Sequence, residues 1–172
     1  TRLTGAQVVS AGTTANGAAL SLAKLDEAID AVDSPTHLIM SKAMRRRLSA
    51  AARLTTVGGY ITYAQDAFGR SQMKYNDLPI IVSYARNGGT EPLGFTEAAS
   101  SGTATATSIY VVSFGPGRLC GFQNGGMDVR DLGELQTQPV YRTRVEWYAG
   151  IALYHGRAAA RLKFIGDLAI VA

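Results

Sequence analysis

Charge is scarce in this sequence. Asp, Glu, Lys and Arg make up 17% of its 172 residues, against roughly 25% in an average soluble domain. There is one cysteine, one tryptophan and only two histidines. Each shortage excludes something. A lone Cys120 closes no internal disulfide and anchors no Cys-x-x-Cys zinc site, which fits a reducing compartment. His37 and His155 have no partners at metal-ligand spacing. No run reaches the roughly 18 apolar residues of a membrane helix, and the N-terminus lacks the basic, apolar, small-residue order of a signal peptide. A soluble, unexported protein with no membrane partner is expected. The chain opens on Thr1 rather than Met, so the expectation is that something upstream has been removed or was not seen.

What is present in quantity is apolar or neutral. Hydrophobic residues reach 47% and the mean hydropathy is +0.04. The length suits one domain, which buries roughly 70% of its unfolded surface without staples. Seventeen Lys and Arg against thirteen Asp and Glu leave +4, too weak a balance for a dedicated nucleic-acid binder. Neutral surface of this extent points to cover by a partner.

Along the chain, residues 1–20 are rich in Thr, Gly and Ala and read as a strand end and a loop. Leu22, Leu25, Ile29 and Val32 then recur at helical spacing, with Ser21 placed as N-cap and Asp33-Ser34-Pro35 as the stop. Asp26, Glu27, Asp30 and Asp33 read as a solvated helix face, since no His or ligand loop accompanies them. Residues 36–40 form a short strand, and Ser41 caps a second helix running to about residue 54. Met44, Leu48, Ala51 and Ala52 supply its packed stripe. Lys42, Arg45, Arg46, Arg47 and Arg53 fill the remaining arc with no acid among them. Two readings stay open for that arc: contact with phosphate or an acidic neighbour, or an ordinary solvated face.

Residues 60–63 and 78–82 read as strands on either side of a turn at 66–70. The Gly, Ser, Thr and Ala stretch 85–107, anchored only by Leu93 and Phe95, reads as a binding loop or mobile tip. Residues 108–114 form a strand. Gly115-Pro116-Gly117 is a tight turn rather than a phosphate loop, because no helix can open among the glycines that follow. A last strand covers 158–165, followed by an apolar tail at 167–172.

Residues 140–155 alternate strictly. Tyr141, Thr143, Val145, Trp147, Ala149, Ile151 and Leu153 share one face, and Arg142, Arg144, Glu146 and Tyr148 the other. As one strand this segment would measure about 50 Å, longer than the roughly 40 Å diameter of a compact globule of this size. Either Gly150 breaks it with a bulge, or the protein has an elongated arm covered by copies of itself. Trp147 is expected to pack inward, and Arg142, Arg144 and Glu146 to form a same-face ion pair or an intersubunit salt bridge.

No constellation for catalysis emerges. Gly-x-Ser-x-Gly, His-Glu-x-x-His and Walker patterns are missing, and Cys120 reads as a small buried residue. The expectation is a protein that is not an enzyme, with no catalytic, cofactor-binding or metal-ligating residues and no cofactor.

The order of segments resembles a known family. Asn16-Gly17-Ala18-Ala19-Leu20-Ser21 leads into Leu25-Asp26-Glu27-Ala28-Ile29-Asp30-Ala31-Val32 and then Pro35-Thr36-His37-Leu38-Ile39-Met40. Asp66-Ala67-Phe68-Gly69-Arg70, Leu78-Pro79-Ile80-Ile81 and Ser108-Ile109-Tyr110-Val111-Val112 follow, then Asp131-Leu132-Gly133-Glu134, Arg144-Val145-Glu146-Trp147-Tyr148 and Arg157-Ala158-Ala159-Ala160-Arg161-Leu162. This ordered set resembles the major capsid proteins of tailed bacteriophages and prophages. The resemblance implies an α+β protein of the Hong Kong 97-like phage capsid fold. Its peripheral domain would have a spine helix and long antiparallel strands, and its axial domain a mixed sheet with flanking helices. Carried over, residues 1–20 would end an extended loop, 21–34 and 127–155 would be peripheral, and 35–126 and 156–172 axial. The N-terminal arm and most of the extended loop would be missing.

The implied function is self-assembly, through pentamers and hexamers, into an icosahedral phage head enclosing double-stranded DNA. Partners would be copies of itself, scaffolding protein, portal and packaged DNA. The place would be the virion, and the host cytoplasm during assembly. Arg45, Arg46, Arg47 and Arg53 become candidates for facing DNA or a subunit, and Arg142, Arg144 and Glu146 for intersubunit strand contacts. Two alternatives are an encapsulin-like cellular compartment and a basic nucleic-acid-binding module acting through the arginine helix.

Overall fold

Leu38, Met40, Ile109, Val111, Ala160 and Leu162 are all fully buried. In the computed structural model, which describes residues 3–53, 59–66, 68–85 and 89–171, they share one face of one sheet. The chain builds β1 (Val8–Ser10), α1 (Leu22–Asp30), β2 (His37–Ser41), α2 (Lys42–Ala51), β3 (Ile61–Gln65), β4 (Ser71–Tyr75) and β5 (Leu78–Ser83). It continues through the short β6 (Glu97–Ala98), β7 (Thr105–Val112), β8 (Leu119–Gln123), β9 (Asp128–Glu134), β10 (Tyr141–Glu146), β11 (Ala149–Leu153) and β12 (Ala159–Ile165). Eight strands make the main sheet in the order β1-β12-β7-β2-β5-β4-β3, with β6 also on β7. The pairs β1/β12 and β2/β5 are parallel and the other pairs antiparallel.

Register aligns Leu162 with Ile109, Val111 with Leu38, and Leu38 with Ile80, so alternate residues of four strands make a continuous apolar floor. Against it α2 lays Met44, Leu48 and Ala51, and α1 lays Leu25, Ala28 and Ile29. The apolar spacing at 22, 25, 28 and 29 is the period that lets one face of α1 meet the floor at β1 and β12. Arg161, Tyr110 and Ile39 line up across the opposite face and remain half-buried. There Arg161 lies 5.9 Å from the Tyr110 ring centre and bonds Glu97 at 2.8 Å.

Ser41 caps α2 as expected, its hydroxyl accepting from the Met44 amide at 3.1 Å. Ser21 stands at the N-cap of α1 but its side chain caps nothing. The Leu22 amide instead donates to the Val171 carbonyl at 3.1 Å, so a tertiary bridge replaces the local cap. Helix α2 ends at Ala51; the expected end near residue 54 lies outside the described residues. Strand β4 went unread, although Asn76 and Asp77, at φ of 47° and 62°, are the residue types that the tight turn between β4 and β5 demands.

The described part of 85–107 is fastened down rather than free. The Asn16 carboxamide accepts from the Thr103 and Ala104 amides at 3.1 and 3.0 Å. Thr107 donates to the Leu93 carbonyl at 2.7 Å and the Lys42 amide to Glu91 at 2.7 Å. Gly17 sits beside Gly166, where an added Cβ would lie 2.9 Å from that residue's backbone, and its φ is +86°. Only glycine serves at that crossing.

Candidate assembly site

Between β7 and β12 the chain leaves the core and returns. Strand β8 pairs with β11 from Leu119↔Leu153 to Gln123↔Ala149, and β9 pairs with β10 from Asp128↔Glu146 to Glu134↔Tyr141. Both ribbons have two strands and neither belongs to the main sheet. At the junction four residues, 124–127, face only Trp147 and Tyr148. The Asn124 amide still reaches the Tyr148 carbonyl at 3.0 Å, and the Trp147 indole donates to the Gln123 carboxamide at 3.1 Å.

The overlong strand is therefore broken, but at Trp147 and Tyr148 rather than at Gly150. Gly150 is needed for a different reason: the Phe122 ring lies over it, and a Cβ there would approach that ring to 2.6 Å. From Tyr141 to Leu153 the return strand extends on the order of 40 Å.

Among the described residues none covers either side of the outer ribbon. Residues 121–132 and 136–145 are all exposed. Tyr141 is 74% exposed, Val145 59%, Trp147 59% and Ile151 77%. The inward packing expected of Trp147 and its alternating neighbours is overturned, because no second layer of the described residues reaches them. Cys120 is only half-buried on β8, not buried. Alternation in the sequence recorded a two-faced ribbon; it did not record where the faces would find cover.

The charged residues of this arm fall into register. Arg144 pairs with Glu146 along β10, and Arg130 with Asp128 along β9 at 2.7 Å. Arg142 stands exposed toward the tip. Arg130 and Asp128, absent from the expected contact residues, join that set; their alternation around Val129 was readable but too short to stand out.

The arginine helix is less uniform than its sequence. Arg45, Arg46 and Arg53 are exposed, while Arg47 is half-buried and ion-paired with Asp167. Consecutive residues turn by about 100°, so positions 45 to 47 fan around the helix instead of making one patch. If the three exposed arginines contact nucleic acid, replacing them with Ser flattens the dependence of log affinity on log salt by about 3 units. An unchanged slope in a DNA-binding titration leaves them as a solvated or subunit-facing surface.

Asp26 and Glu27 of α1, and Asp33 just beyond its end, each have a partner. Asp26 accepts from the Tyr75 hydroxyl at 2.9 Å, Glu27 pairs with Lys24 at 2.6 Å, and Asp33 with Arg157 at 3.3 Å. Burial and the Asp26 carboxylate both push Tyr75 upward from its ordinary range. His155 accepts from the Arg157 amide at 3.3 Å. His37 packs edge-on against Phe114 with ring centres 5.3 Å apart, and burial lowers its pKa. Among the described residues no group of three or more His, Cys, Asp and Glu is placed to hold a metal, and no helix is long and apolar enough to cross a membrane.

No family model and no curated protein matches the sequence. Solved structures do. The chain superposes on the holo-SrpI encapsulin complex from Synechococcus elongatus with a TM-score of 0.66 at 20% identity, over 99% of its own length. It superposes on a phage-related protein from Bordetella bronchiseptica with a TM-score of 0.57 at 14% identity, over 96%. The fold is capsid-type, Hong Kong 97-like. The chain spans 57% of the length of each of those two chains.

Proposed function

We propose that this protein is a structural subunit that self-assembles into a closed shell. The observation that carries the reading is the arm from Leu119 to Leu153, half-buried at its base and exposed on both faces of its outer ribbon, and studded with Phe122, Val129, Tyr141, Val145, Trp147 and Ile151. A monomer rarely leaves so much contiguous apolar surface in water. Copies of one chain that bury it in closed symmetry would remove it.

The finer reading is the head of a tailed bacteriophage or prophage around double-stranded DNA, with scaffold and portal as further partners and the virion as its place. In that reading residues 127–155 are peripheral strands, and 35–126 with 156–172 are axial. Residues 21–34 were grouped with the periphery, yet α1 packs on β1 and β12 and shares their core. The second reading is an encapsulin-like compartment, since an encapsulin is among the structures that share the fold.

Electron microscopy of the full-length protein at high concentration, with any scaffold supplied, is expected to show closed shells. Monomers alone would overturn the proposal. Contents separate the two readings: nuclease-protected DNA for a phage head, a protein cargo for a compartment.

A further inference from the structure

The outer ribbon carries charge in layers. Asp128 faces Glu146 across the two strands, and Arg130 faces Arg144. These four alternate with the Val129 and Val145 pair, so they occupy one face and the valines the other. Going outward along that face, two acids come first and two arginines about 7 Å beyond. Like charges directly opposite one another destabilise a strand pair. A hairpin selected for its own stability would place each acid across from an arginine. This one pairs unlike charges only along each strand, Arg130 with Asp128 and Arg144 with Glu146.

A face built of one acidic and one basic layer is complementary to its own image after a half turn. The axis lies between the layers and across the strands. It sets Asp128 of one copy over Arg130 of the other, and Glu146 over Arg144, with the reciprocal contacts made at the same time. A polyanion would meet the acidic layer and a basic partner the arginines, so no single-sign partner fits as well. The side chains are available: Arg130 is 65% exposed and Arg144 59%.

We propose that two arms dock face to face across a local two-fold axis, each acidic layer against the other copy's basic layer. The inference rests on the shell reading and names one of its contacts.

The test uses two double variants of the full-length protein: Arg130→Glu with Arg144→Glu, and Asp128→Arg with Glu146→Arg. The first makes the patch of these four residues wholly acidic and the second wholly basic. In sedimentation and electron microscopy each variant alone is expected to associate at least tenfold more weakly than wild type. An equimolar mixture is expected to recover association, because unlike faces then meet. Thermal unfolding serves as a control, since the main-sheet core is untouched and each variant should keep its cooperative transition. The proposal is overturned if either variant associates like wild type, or if the mixture stays dissociated while wild type assembles. A wild type that never associates overturns the shell reading itself, which separates the two failures.

Discussion

Removing residues 124–148 and joining Gln123 to Ala149 through an Asn-Gly turn is expected to abolish assembly while leaving the body folded. Gln123 and Ala149 are already direct partners, and a two-residue loop closes such a pair with the right twist. The excised residues contribute no member to the buried apolar cluster, which is drawn from residues 9–80 and 109–165 with a gap across the arm. The melting temperature should therefore move by only a few degrees, for a change on the order of 1 kcal/mol. Shells should disappear from electron micrographs at every concentration tested. If shells persist without the arm, the bare ribbon is not an assembly surface and the proposal loses the observation that carries it.

Truncation of the core should do the reverse. Leu38 is fully buried at the centre of the sheet, with β7 on one side and β5 on the other. Leu38→Ala removes transfer free energy and leaves a cavity that two flanking strands hold open, at a cost of about 2–5 kcal/mol. At about 2–4 °C per kcal/mol for a chain of this size, the melting temperature should fall by roughly 5–15 °C. Val129→Ala, at a side chain 61% exposed, should change it by less than about 0.5 kcal/mol. Calorimetry on the two variants checks both numbers. Equal losses would mean that the arm is part of the folding unit.

The contrast between these sites also explains what could be read in advance. The packed face of α1, the cap at Ser41 and strands β2, β5, β7 and β12 were legible because local pattern and tertiary burial agree there. Ser21 misled because its hydroxyl caps nothing, and the helix start is tied instead through the Leu22 amide to the Val171 carbonyl, 149 residues further along the chain. No local rule sees such a partner. Strand β4 carries Ser71, Gln72 and Lys74 among its five residues, too polar for an apolar pattern, and only the Asn76-Asp77 turn betrayed it. In the arm the period of two was plain, and its consequence was misjudged. Alternation normally means one wet face and one dry; here Val145 and Arg144 are both wet, since no layer of the described residues packs on either face. The arginine run gave a similar lesson. Five basic residues between Lys42 and Arg53 suggested one surface, but Arg47 turns to Asp167 and the helix spreads the rest.

The arm's separation from the core has an evolutionary side. A substitution at Leu38 must satisfy the fold before anything else, whereas one at Val129, Tyr141 or Trp147 answers only to whatever it touches outside. Such positions drift with their counterparts on neighbouring copies and free of the folding threshold. In the proposed shell, contacts between copies can change while the fold stays recognisable in shape, as it does against solved structures at 14–20% identity.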